Sequence, residues 1–266
     1  MAYIDEGKGE QTLLFVHGLA LYGKSWVQNI EQLKSKFRCI AIDLPGNGYS
    51  DKGDYPYGIH FFAGCIYDFI LKLQLKNVTI VAHSMGCQIA VELVTGEPSC
   101  CDKLVLCAPA GFETFRGWEK AMYKSTIQIA DFFSSEENSL RHVVYRSFFK
   151  KPSQSDGMIK ELVDIMKSYS ISHYRKMIEG CIDGMLNEEV FDKLKLIQQP
   201  TLVMYGEHDA LIPNKFIHPI STKHLAEKGV KQIPNGKLIM LPDCGHFVQI
   251  ESADVVNRNI EQFVLN

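Results

Sequence analysis

Six short apolar runs, each closing on a cluster of glycine, proline, histidine, aspartate or serine, constrain this chain more than any other feature. They are "TLLFVHG" (12–18), "FRCIAIDLPG" (37–46), "NVTIVAHS" (77–84), "KLVLCAPAG" (103–111), "PTLVMYGEHD" (200–209) and "KLIMLPDCGH" (237–246). Their length and β-branched content read as buried strands. Segments with helical periodicity stand between most of them, for example "FFAGCIYDFILKLQL" (61–75) and "CQIAVELVTGE" (87–97). That alternation predicts the α/β fold class, with a mostly parallel central sheet flanked by crossover helices. In open sheets of this kind ligands bind beyond the carboxyl ends of the strands, which is where the polar clusters sit.

One interval breaks the alternation. Between the fourth and fifth runs the chain is too long for a single crossover, and it carries four segments of helical periodicity, "GWEKAMYKSTIQIADFF", "NSLRHVVYRSFF", "GMIKELVDIMKSY" and "HYRKMIEGCIDGM". We read residues 1–111 and 199–266 as the core and 112–198 as an inserted helical lid. No strand is read in the first ten residues, "MAYIDEGKGE".

Composition narrows the partners. A net charge of -3 with 22% charged residues offers no basic footprint for nucleic acid or an anionic membrane. With 46% hydrophobic residues the chain can bury a sizeable core. Asp5 and Glu6 stand where a secretory leader would be basic and then apolar, so the expectation is a cytoplasmic protein acting on a small molecule, with a homo-oligomer left open. The eight cysteines show no C-x-x-C spacing and the nine histidines no H-E-x-x-H pattern, so no metal and no organic cofactor is expected.

The stretch "VAHSMGC" (81–87) departs from G-x-S-x-G by a single methyl group, at Ala82. Ser84 ends an apolar strand and opens an amphipathic helix, the context that a nucleophile elbow requires, and the positions flanking such a turn must be small. Ala82 and Gly86 are both small. Ser155-Asp156-Gly157 also spells S-x-G but follows "KKPSQ", with no strand before it, and reads as a loop serine. A serine needs a base, and the base an orienting acid. His246 and Asp209 close two other strands on the same sheet edge. Glu207, His208 and Glu113 are the competing acids and base.

The chain resembles the lidded α/β hydrolases over nearly its whole length. "FVHGLA" (15–20) is similar to the family's oxyanion loop and "DLPGNGYSD" (43–51) to its D-x-P-G-x-G-x-S turn, while "AHSMG", "GEHDALIP" and "CGHF" match its three triad segments. The resemblance implies a Ser84–Asp209–His246 triad, with backbone N–H groups of Leu19 and Met85 as oxyanion donors. It also implies an initial strand that the residues do not display. His83 is expected to pack or hydrogen-bond structurally, and Asp43 to brace the loop of "DLPGNG". Epoxide hydrolases and haloalkane dehalogenases of the family carry aspartate at the nucleophile position, so Ser84 argues against both. The expected reaction is hydrolysis of a carboxylic ester of small to medium apolar character.

Apolar lid residues, Phe112, Phe115, Trp118, Met122, Phe132, Phe133, Phe148 and Met177, are candidates to line a pocket or simply to fill core. Phe112, Trp118 and Phe247 are taken as the substrate contacts. Two rivals stand beside the esterase: a carbon–carbon bond hydrolase, for which Arg116, Arg141, Arg146 or Arg175 would meet a substrate carboxylate, and a small-molecule receptor on the same fold.

Overall fold

In the computed structural model the described residues are 1–129, 144–153, 155–167 and 171–266, with side chains of 126–129 and 171 left aside. Phe132, Phe133 and Arg141, and much of the second expected lid helix, lie outside them. Seven strands form one sheet in the order β1-β3-β2-β4-β5-β6-β7. They are β1 Tyr3–Glu6, β2 Thr12–Val16, β3 Arg38–Ile42, β4 Val78–His83, β5 Lys103–Cys107, β6 Thr201–Gly206 and β7 Gly236–Leu241. All pairings are parallel except β1 with β3.

The six predicted runs supply β2 to β7. Strand β1 corrects the reading of the first ten residues. It is an antiparallel edge strand whose side chains are mostly exposed, so it shows no apolar run and is held through backbone pairing to β3. Strands β2 and β4, by contrast, are buried at every position, as expected of a sheet covered on both faces.

Helices α1 (Val27–Leu33), α2 (Ile59–Lys72), α3 (Met85–Gly96), α7 (Thr222–Val230), α8 (Val248–Glu251) and α9 (Ala253–Leu265) flank the sheet. One core layer joins α2 and α3 to the sheet through residues such as Phe62, Ile66 and Ile89, and the other joins α1 and α9 through Trp26, Ile30 and Ile260. Between β5 and β6 stand α4 (Gly117–Ile129), α5 (Ser155–Lys167) and α6 (Ile171–Asn187). Ile159, Leu162 and Val163 of α5 pack with Leu21 and Tyr22 after β2 and Phe247 after β7, so this segment rests on loops at the carboxyl edge. No helix among the described residues is long and apolar enough to cross a membrane.

Candidate active site

Ser84 joins β4 to α3 with φ 52° and ψ −118°, a left-handed conformation that costs an L-residue about 1–3 kcal/mol. Three hydrogen bonds hold it there. Its N–H donates to Cys107 O at 3.0 Å, and its carbonyl accepts from Cys87 N at 2.9 Å and Ala110 N at 3.1 Å. The turn needs small neighbours on the helix side, because a Cβ on Gly86 would lie 2.6 Å from His17 O and 2.7 Å from Val16 O. Gly18, in turn, backs directly onto the serine: a Cβ there would stand 2.9 Å from Ser84 Cβ.

The Gly18 loop is aimed by His17. Its Nε2 accepts from Leu44 N at 3.0 Å, so Nδ1 carries the proton and donates to Gly18 O at 2.8 Å. Leu21 N also donates to that carbonyl, at 3.3 Å. A trans peptide points its N–H opposite its C=O, so fixing Gly18 O fixes the direction of the Leu19 N–H. Neither Leu19 N–H nor Met85 N–H has a hydrogen-bond partner among the described residues. Burial holds His17 below the usual histidine range, consistent with one lone pair and one proton, each matched.

His246 and Asp209 meet. His246 Nδ1 lies 2.9 Å from Asp209 Oδ2, and the other carboxylate oxygen accepts from Leu211 N at 2.8 Å and Ile212 N at 2.9 Å. The carboxylate therefore orients the ring with Nδ1–H towards itself, leaving Nε2 as the free acceptor. The two loops are forced together by Gly206, where a Cβ would sit 2.2 Å from Gly245 O. Asp209 is fully buried, whereas Glu207 and His208 are exposed, and the His208 ring stacks on Phe149 at 4.0 Å. Glu113 goes elsewhere: it accepts from His218 Nδ1 at 2.6 Å and from Asn214 N at 3.0 Å. Its carboxyl is pushed up by burial, with those hydrogen bonds working against the shift.

Two supports hold the loop of His246, and the sequence singles out only the first, His83. His83 Nε2 is 3.1 Å from His246 O and its ring centroid 4.8 Å from that of His246; burial keeps it well below the ordinary histidine range, so the neutral ring donates to the carbonyl. Glu251 Oε2 accepts from Gly245 N at 3.1 Å, Phe149 N at 2.9 Å and Lys150 N at 3.0 Å, while His246 N donates to Ser147 O at 3.0 Å. His83 and His246 stand 163 residues apart and Glu251 and Phe149 102, separations that hide such ties from any local pattern. Asp43 braces its own loop by accepting from Tyr49 N at 2.7 Å and ties it to the segment after β2 by accepting from Gly23 N at 2.6 Å.

The expected substrate contacts fare differently. Phe112 is corrected: after Gly111 turns at φ 88° its ring is buried beside Tyr205 and under Gly229 of α7, so it is core. Trp118 is 61% exposed and lines no cavity described here. Phe247 packs on His83, His246 and Phe148 and so braces the histidines from the side. Two small cavities lie between the loops of the sheet's edge and the inserted segment, and neither is lined by Ser84 or His246. One is lined in part by Gln88, Ala110, Glu113, Tyr123 and Ile212. The other opens on Ala20 and Leu21. Arg116, Arg146 and Arg175 are exposed and line neither.

Comparison with known proteins agrees with this frame. A family model described as the alpha/beta hydrolase fold matches residues 11–253. Epoxide hydrolase 2 of Caenorhabditis elegans is 24% identical, over 99% of this chain and 77% of its own. A pimeloyl-[acyl-carrier protein] methyl ester esterase of Nitrosospira multiformis is 25% identical, over 94% and 93%. The solved esterase EaEST of Exiguobacterium antarcticum superposes with a TM-score of 0.83 at 22% identity, covering 99% of this chain and 95% of its own. A match over so much of the length, on a sheet whose carboxyl edge gathers a strained serine, a histidine and an aspartate, means that the chain belongs to the α/β-hydrolase family.

Proposed function

We propose that the protein is a carboxylic ester hydrolase that works through an acyl-enzyme on Ser84, with residues 112–198 acting as a lid. What supports the reading above all is the backbone of Ser84, held at positive φ by three hydrogen bonds beside two N–H groups that no protein acceptor satisfies. Strain of this kind is retained where it positions a reacting group. His246, oriented by Asp209, takes the Ser84 proton through Nε2 as the hydroxyl oxygen attacks the ester carbonyl carbon. The oxyanion that forms accepts from Leu19 N–H and Met85 N–H, each worth about 2.7–4 kcal/mol in comparable sites. His246 then gives the proton to the departing alcohol, and water repeats the sequence on the acyl ester. Among relatives of nearly equal identity, one is named for epoxide and one for ester hydrolysis, so the choice falls to the residue at 84. A serine there forms the acyl ester that the second reaction needs.

A fluorophosphonate probe tests the nucleophile directly. Adduct mass on Ser84, with Ser84→Ala lowering p-nitrophenyl butyrate turnover at least about a thousandfold in a folded protein, is the expected result. No adduct and no turnover by the wild type would turn the reading towards the receptor on the same fold, and turnover unchanged in Ser84→Ala would overturn Ser84 as the nucleophile.

A further inference from the structure

The segment that leaves β5 touches both halves of the site. Ala110 N donates to Ser84 O at 3.1 Å, Tyr205 Oη of β6 donates to Pro109 O at 2.5 Å, and Phe112 is buried beside Tyr205 and under Gly229. Residues 109–112 are thus fixed in the core against the serine. Glu113 is the next residue, with only 8% of its side chain exposed. Its carboxylate reaches across to the loop that follows Asp209. Both oxygens accept from Asn214 N, at 3.0 and 3.1 Å, and Oε1 also accepts from His218 Nδ1 at 2.6 Å.

That loop aims the Asp209 carboxylate. Oδ1 of Asp209 accepts from Leu211 N at 2.8 Å and Ile212 N at 2.9 Å, while its other oxygen faces His246 Nδ1. Only Pro213, whose ring fixes φ, separates Ile212 from Asn214, so an anchor on Asn214 N carries to the two N–H groups that hold Asp209. Beyond Asn214 the chain folds back, with Ile217 N and His218 N donating to Asn214 O at 3.0 and 2.7 Å, which brings both of Glu113's donors to one place. Thr222 Oγ1 adds a longer tie, to Ile212 O at 3.3 Å.

A charged group is an expensive anchor here. Burial pushes the Glu113 carboxyl up, and a buried ion pair contributes little net stability beside apolar residues of the same volume. What the carboxylate supplies instead is a pair of directional, charge-assisted acceptors in a fixed place.

We propose that Glu113 is a positioning residue: through Asn214 N and His218 it holds the loop 211–218 against the segment bound to Ser84, and so sets the serine and the Asp209–His246 pair relative to each other. The effect on turnover rests on the ester-hydrolase reading, whereas the effect on the His246–Asp209 contact does not.

Glu113→Leu, Glu113→Gln and His218→Phe test this in the full chain. Leucine removes both acceptors at similar volume and is expected to lower kcat for p-nitrophenyl butyrate at least about tenfold with KM changed less than about threefold, because small displacements of reacting groups slow the chemical step. Glutamine should recover most of that loss, since its Oε1 accepts from Asn214 N and its Nε2–H donates to His218 Nδ1 in the other ring tautomer. His218→Phe removes one donor and leaves Asn214 N, so its kcat should fall between those of Glu113→Leu and the wild type, and it carries the test where Glu113→Leu is not recovered folded. The second readout is the downfield proton resonance of His246 Nδ1–H, assigned by its loss in Asp209→Ala. Its exchange with water should quicken in Glu113→Leu and return towards the wild-type rate in Glu113→Gln. An unchanged kcat in Glu113→Leu, or equal losses in the leucine and glutamine variants that follow their unfolding midpoints, would overturn the inference. Should the wild type neither label with fluorophosphonate nor turn over an ester, the parent reading fails alone. The resonance then decides: faster exchange in Glu113→Leu upholds the positioning role, and unchanged exchange refutes it.

Discussion

At residue 82 the departure from the glycine pattern is resolved by which side of the turn is crowded. Ala82 is a fully buried strand residue paired with Val16 on one side and Leu106 on the other, and its methyl group is accommodated. Gly86 has no such room, since any Cβ would meet two backbone carbonyls of the neighbouring strand end at 2.6 and 2.7 Å. Two substitutions at the same turn therefore have opposite outcomes. Ala82→Gly should keep turnover within a few fold and cost about 1 kcal/mol, from lost strand propensity and one buried methyl group. Gly86→Ala must push α3 away from β2, carrying Met85 N–H with it, and should lower kcat at least about a hundredfold, the scale of losing one oxyanion donor. Steady-state kinetics and urea unfolding of the two variants check this, and equal effects would show that the crowding does not set the turn.

Among the elements, β2 to β7 were legible because buried parallel strands are nearly continuous in apolar residues, and the site was legible because each strand delivers its polar residue at the same edge. Strand β1 was not, because "YIDE" pairs through its backbone and leaves its side chains mostly in solvent. The Glu251 support of the His246 loop was hidden for another reason: on α8 it accepts from Phe149 N and Lys150 N, 102 and 101 residues away, and a helix residue gives no sign of a distant partner. Phe112 was misread because apolar character cannot tell a pocket wall from core. Glu251 carries its own prediction. Its carboxylate ties the inserted segment to the loop of His246, and charge-assisted bonds to N–H groups are the strong kind. Glu251→Ala should cost about 2 kcal/mol and lower kcat about tenfold with a smaller change in KM, whereas Glu251→Gln, which keeps one acceptor oxygen, should recover part of both. Equal losses in the two variants would assign the effect to packing.

For the whole molecule, the two histidines that organise the site, His17 and His83, are buried and held neutral, with desolvation as the leading cause for each. This couples the site's architecture to global stability. The sign follows from proton counting. An unfolded chain takes up a proton on each ring as pH falls through about 6.5, and the folded chain, its histidine values lowered, does not. The stabilisation is thus complete above that value and is lost on acidification, by up to about 1.4 kcal/mol per pH unit for each ring. Urea midpoints at pH 7, 6 and 5 should fall steadily. His83→Gln, whose side-chain N–H can still donate to His246 O, should flatten the slope by removing one titrating group while keeping the contact. A slope unchanged in that variant would mean that His83 already carries its proton in the folded state, and the neutral donor geometry assigned to it would be wrong.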